Sequence, residues 1–297
     1  VTRRTRTQAD TISLDLATVE SYLDARYVGD VTYTGVGQNT IVSNLISTYV
    51  ADGTTPGLPI RVQTVTAGAG TLRDRTFADD ADKTVYSALS DLSGVIGGPE
   101  WTIGWEWLHN PERITPVFFV GDRIGVAKPA GLMPAATFEI PGPIASFSLV
   151  EDWSAGKGAT DVMATSSGSG GARPQSPHQV SSDPERPVVE FRFQPSTSIT
   201  DTATLTAHAQ RALAAMADGT QSVAVSMDAT TAPALGVDWN LGDDVGVVLG
   251  GLDASGADLV PSVPGGVTAV ARVIGWELTL GVTPVLTQTL VVSGGVL

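Results

Sequence analysis

The chain contains no cysteine. Disulfides and thiolate metal sites are therefore excluded, and the usual clue to redox compartment is missing. Charge is also sparse, at 16% of 297 residues, and cations are the scarcer sign, 17 against 31 acids. A net charge of −14 disfavours an electrostatic footprint on a phosphate backbone, so direct nucleic-acid binding is not expected. Such a surface serves solubility first. Its functional reading is a lumen wall that nucleic acid must pass without sticking.

Long apolar runs are absent too. The stretch 117–120 is cut off by Gly121-Asp122-Arg123, far short of the roughly 20 residues a bilayer span needs. Stable membrane insertion is not expected. The basic opening VTRRTRTQ is followed by no apolar stretch of the secretory-signal kind.

Catalytic patterns are scarce. The three histidines, His109, His178 and His208, are not spaced as metal ligands, and no HExxH or His-x-His occurs. No GxSxG elbow is present. Glu100 and Glu106 flank a tryptophan-rich segment but would stand about 20 Å apart along a strand, too far to work as a glycosidase pair. Asp79, Asp80 and Asp82 in FADDADKT offer oxygen ligands for calcium. They lack the glycine and terminal glutamate of an EF-hand loop, and Asp82 serves better as a helix cap. The tract 166–174 (SSGSGGARP) reads as a flexible loop and has no phosphate-loop lysine or helix. No catalytic residue and no cofactor site is expected.

What is present is the material of a β-rich core. The hydrophobic share is 42%, with 33 glycines and 18 prolines spread along the chain as turn punctuation. The alternation at Ile12, Leu14 and Leu16 predicts one half-buried strand over 3–16. A short helix over 19–26 follows, with Thr18 as its N-cap, and then a strand over 30–34. A helix over 38–50 carries Ile41, Leu45, Ile46 and Tyr49 on one face. A second, over 83–95, carries Val85, Leu89, Leu92 and Ile96. Strands 58–65 and 72–78 lie between them. In the extended segment 100–108, Trp101, Ile103, Trp105 and Trp107 point one way. Such a stripe is core more often than a sugar platform, yet these tryptophans are the best candidates for a ligand or interface surface.

Residues 112–128 resemble a hairpin around Gly121-Asp122, and the proline-rich stretch 129–143 is the best domain boundary. Beyond it, strands 136–140, 146–151, 160–165 and 187–194 precede a third helix, 202–217. That helix has Leu205, Ala209, Ala212, Leu213 and Met216 as its stripe, with His208 beside it. Strands 222–227, 244–249, 269–280 and 285–292 complete an antiparallel region.

Several stretches carry a resemblance in their order: SYLDARYV with the helix QNTIVSNLI, TVYSALSDLSGVIGGPEWTIGW, VGDRIG, EIPGPIASFSLVEDWSAGKGATDVMATSSGSG, and NLGDDVGVVL with ARVIGWELTL. The sequence resembles the minor tail proteins of long-tailed, siphovirus-type actinobacterial bacteriophages, which are related to baseplate hub proteins. The resemblance covers most of the chain, and its order of motifs is more specific than any one motif. It implies a β-dominated α+β fold, with tail-tube-like antiparallel β-barrel modules, one outer helix, and a small inserted α/β domain. The implied domains are a first barrel from 1–30 and 112–135, an insert over 31–111, and a second tube-like domain over 136–297. In the family pattern further strands precede the first barrel. Here Val1 opens almost directly on a strand, so the first barrel is expected to be incomplete, completed by a neighbour, or cut short.

The implied function is a structural protein at the distal end of the tail in the virion. It would form a homotrimeric ring and join the tube to tip, fibre, distal-tail and tape-measure proteins. The alternative is a receptor- or carbohydrate-binding tip module using Trp101, Trp105 and Trp107. It requires at least one of the three to be exposed. A third class, a tail-associated peptidoglycan hydrolase, lacks a catalytic constellation.

Overall fold

The apolar periodicities pair off into layers that group as two compact units, Val1–Val126 and Ala127–Leu297. A computed structural model of the chain describes residues 3–6, 12–53, 56–65, 68–94, 97–109, 112–128, 132, 134, 136–182, 186–195, 199, 201–217, 219–281 and 284–292. Residues 100–109 and 112–121 form one antiparallel pair and lie in the same unit. The division between the units comes just before the proline-rich stretch.

The first unit runs β1 (Arg3–Arg6), β2 (Ile12–Asp15), α1 (Glu20–Leu23), β3 (Val31–Gly37), α2 (Gln38–Tyr49), β4 (Arg61–Thr64), β5 (Leu72–Phe77), α3 (Val85–Ser93), β6 (Glu100–His109) and β7 (Glu112–Gly121). The expected single strand over 3–16 is instead an antiparallel pair, β1 with β2. The apolar alternation begins only at Ile12, and the cationic RRTR segment is a separate strand. Likewise β7 does not fold back at Gly121-Asp122. It pairs antiparallel with β6 along its whole length, from Glu100 opposite Gly121 to His109 opposite Glu112, and parallel with β4.

Helices α2 and α3 cover the sheet formed by β4, β7 and β6. Ile41, Leu45, Ile46, Leu89 and Leu92 are fully buried there against Phe118 and Val120. Ile96 of the expected stripe lies outside the described residues. The cap of α3 is Thr84 and not Asp82. The Thr84 hydroxyl accepts the Ser87 N–H at 3.1 Å and donates to Asp24 at 2.9 Å. Asp82 stands in the left-handed region, φ 48°, closing a 3-10 turn too early in the chain to cap α3.

The second unit runs β8 (Thr137–Ile140), β9 (Ile144–Asp152), β10 (Asp161–Ala164), β11 (Gln179–Val180), β12 (Glu190–Phe193), α4 (Thr202–Met216), β13 (Thr220–Asp228), β14 (Asp244–Leu249), β15 (Val267–Thr279) and β16 (Val285–Val292). Six strands form one sheet in the order β8-β14-β15-β16-β13-β9. Its two edge strands are consecutive in the chain, so the sheet must bend back toward itself at residues 141–143. Among the described residues no ladder joins β8 to β9. The expected closed barrel is therefore not found; the sheet is curled and open along that seam. It is also mixed, since β14 pairs with β8 in parallel. Trp239, Phe138, Met227, Val225 and Val273 fill the hollow. Helix α4 does not lie on this sheet. Leu205 and Ala209 bury against Ala159, Val162 and Ala164 of a second, three-stranded sheet, β11-β10-β12.

Four aspartates fix turns and caps. Asp152, Asp201, Asp228 and Asp253 each accept the backbone N–H of a Ser or Thr two or three residues on. Hydrogen bonds from those side chains, then from the backbone, hold all four carboxyls below their ordinary range. A depressed folded-state pKa contributes stability above the unfolded value near 4 and loses it as pH falls through the folded value. We expect a nearly constant melting temperature from pH 7 to about 5, then a fall as the pH drops below about 4. Replacing all four by Asn should flatten that fall in calorimetry; an unchanged profile would contradict the assignment. Thr84→Ala should cost about 1 kcal/mol in urea unfolding.

Candidate functional site

The face shared by Trp101, Ile103, Trp105 and Trp107 begins inside the core and ends outside it. Trp101 is stacked on Phe118 at 5.3 Å between centroids and meets Tyr86 edge-on at 6.3 Å. Trp105 and Trp107 are 62% and 54% exposed. The register puts Trp105 opposite Pro116 and Trp107 opposite Ile114, itself exposed.

The cause is length. Ten strand residues extend about 33 Å, whereas the nine of α3 extend about 13 Å and the twelve of α2 about 18 Å. The helical layer covers Trp101 and ends before Trp105. On the neighbouring strand β4, Arg61 forms an ion pair with Glu106. The side chain of Glu100 accepts the Ile124 N–H at 2.8 Å. Both carboxylates are thus engaged in structural contacts.

The second unit repeats the construction. β15 has thirteen residues, but β14 pairs only with Val267–Arg272. The backbone of Val273 is satisfied by the Gly242 N–H and the Asp243 carbonyl, at 2.8 and 3.0 Å. Past the bulge between Val273 and Gly275, no ladder partner lies on that side among the described residues. There Trp276, Leu278 and Leu280 alternate and are exposed, as is Ile274 within the bulge. By register Trp276 and Leu278 share a face with the buried Val225 and Met227. An apolar strand face again runs beyond its own core. The alternation in IGWELTL was legible in the sequence, but nothing there distinguished it from an ordinary core strand. The pair β1–β2 adds a third uncovered group, since Ile12, Leu14 and Leu16 are exposed.

The remaining candidates do not converge. Asp79, Asp80 and Asp82 belong to no cluster that could hold a metal ion among the described residues. Asp79 is anchored through its N–H to Asp30, at 2.8 Å. His178 meets both oxygens of Asp161 at 2.8 Å, His109 ends β6, and His208 lies on α4, so the three share no site. No helix among the described residues is long and apolar enough to cross a membrane.

We expect Trp101→Ala, at a half-buried position packed on the core, to cost about 2–3 kcal/mol. Trp105→Ser and Trp107→Ser should each stay within about 0.5 kcal/mol of the parent. Urea titrations monitored by circular dichroism would show this; equal losses at all three positions would contradict the placement of the core edge.

Neither a family profile nor a curated protein sequence matches the chain. Among solved structures it is similar to the 43 kDa tail protein of prophage MuSo2 from Shewanella oneidensis, with TM-score 0.50 and 11% identity over 87% of this chain and 66% of that one. It is also similar to the tail protein from Neisseria meningitidis MC58, with TM-score 0.55 and 17% identity over 91% of this chain and 71% of that one. The chain thus spans about two thirds of the length of these tail proteins. At such identities the likeness is one of fold: a β-dominated α+β architecture shared with prophage tail proteins.

Proposed function

We propose that this chain is a structural component of a phage tail, a minor tail protein of the distal hub in a long-tailed actinobacterial phage. In this reading it works by assembly, joining the tube to tip or receptor-binding proteins. The observation that carries it is the uncovered apolar strand face in each unit, Trp105, Trp107 and Ile114 in one and Trp276, Leu278 and Leu280 in the other. Large apolar patches on a soluble chain mark surfaces that another chain covers. Burying each such side chain is worth roughly 1.5–3 kcal/mol, so two patches can support a permanent interface. The fold shared with tail proteins supports the same reading. Its partners are copies of itself, arranged as a trimeric ring, and the neighbouring tail proteins.

Light scattering should give three times the 30.6 kDa chain mass at micromolar concentration. Trp276→Glu with Leu278→Glu should lower the assembly constant by at least about tenfold while leaving the circular dichroism spectrum intact. A parent chain that stays monomeric, and that is missing from purified tails, would sink the proposal.

The exposure of Trp105 and Trp107 favours a second reading, a glycan-binding tip module. Under assembly, their fluorescence becomes resistant to acrylamide as the oligomer forms. Under glycan binding, host-wall oligosaccharides change the fluorescence of the monomer.

A further inference from the structure

Residues 151–297 contain six cations against fifteen acids. Two of the six, Arg173 and Arg192, line one cleft of about 250 Å³ together with Thr165, Gln175, Gln194 and Phe193. No carboxylate lines it among the described residues. In a unit this acidic, convergence of two guanidiniums on one hollow needs a reason.

The cleft is built on the parallel pair β10 and β12, where Met163 stands opposite Arg192 and Ala164 opposite Phe193. The Thr165 hydroxyl, buried with its residue, donates to the Phe193 carbonyl at 3.2 Å. Its lone pair is thereby turned toward Arg173, whose Nη2 donates to it at 2.5 Å. Arg173 Nε donates to the Ser166 carbonyl at 2.8 Å. Both acceptors are neutral, so the guanidinium is held in place without being neutralised. Two of its five N–H groups are used; the other three have no partner among the described residues. Arg192 has Glu190 at 3.1 Å, but that pair is more than half exposed on both sides, 57% and 52%, and holds it weakly.

We propose that this cleft binds a sugar acid, a phosphate or carboxylate group carried on a single hexose-sized body. Arg173 supplies preorganised donors to the oxyanion, and Arg192 adds a second charge at the rim. The amides of Gln175 and Gln194 offer a donor and an acceptor each, the chemistry that sugar hydroxyls need. The ring of Phe193, stacked on Phe191 at 5.5 Å, gives an apolar wall for the sugar's C–H face. The volume suits one such body and is too small for a drug-sized ligand. Nothing in this assignment depends on the assembly surfaces.

Calorimetric titration of the full chain at low salt tests it, with glucose 6-phosphate, glucuronate, glucose, inorganic phosphate and N-acetylglutamate as probes. The first two should bind saturably in the millimolar range or tighter, and glucose at least about tenfold more weakly. Arg192→Gln should weaken glucose 6-phosphate by about fivefold or more. Glu190→Gln should tighten it, because a competing carboxylate is removed. Both positions are exposed, so the melting temperature should not move. Arg173→Gln should abolish binding. The proposal is overturned if no probe saturates, if glucose binds as tightly as its phosphate, or if both rim variants bind like the parent. Equal affinity for inorganic phosphate or N-acetylglutamate would overturn the assignment to sugar acids.

Discussion

A residue in a strand advances the chain more than twice as far as a residue in a helix. Most of this molecule follows from that mismatch. When a short helix is laid on a long hairpin, the apolar face of the hairpin is covered at one end and bare at the other. In the first unit the transition falls between Ile103 and Trp105 on one strand. In the second the covering element is the short strand β14, which releases β15 after Arg272. Different covers produce the same result, an apolar ribbon projecting from a well-packed core. Continuing the alternation past the cover has no use in a solitary chain, where polar residues would serve at those positions.

The six-stranded sheet shows a second consequence of strand geometry. Because β8 and β9 are consecutive and also the two edges of the order, the sheet curls, and its hollow fills with Phe138, Trp239 and the valines of the central strands. The curl does not close into a ladder among the described residues, so β8 and β9 remain the two edges of the sheet. The far half of β15 carries an edge as well. A sheet with free edges and an apolar inner rim is suited to continue into another chain's sheet.

How much of this was legible in the sequence depended on whether a feature was local. Helices α2 and α4 were readable almost to the residue, because a 3.6 period with an abrupt stop has few alternatives. Strands β14 and β16 were equally clear. Pairing was not. The partner of β7 lies on its N-terminal side, and the turn signal at Gly121-Asp122 pointed to the wrong one. The cap of α3 was misassigned because Asp and Thr are both good caps, and only backbone φ decides between positions 82 and 84. The tryptophan stripe was visible as a stripe, but the division into a half-buried Trp101 packed on the core and exposed Trp105 and Trp107 depends on where a helix from elsewhere in the chain ends. The Arg173–Arg192 cleft had no sequence signal at all, since nineteen positions separate residues brought together by a parallel pair.

Charge completes the picture. Bare apolar strands and open edges invite indiscriminate stacking, and a chain built this way needs an opposing force. A net charge of −14 per copy supplies it. Beyond about 8 Å at physiological salt the repulsion is screened, so it acts on close, poorly fitted encounters and leaves distant copies unaffected. A well-fitted contact that buries several large side chains exceeds this repulsion, and a poorly fitted one does not. The shortage of cations and the excess of exposed tryptophan and leucine on strand ends therefore act together: the acid surface makes the apolar ribbons selective.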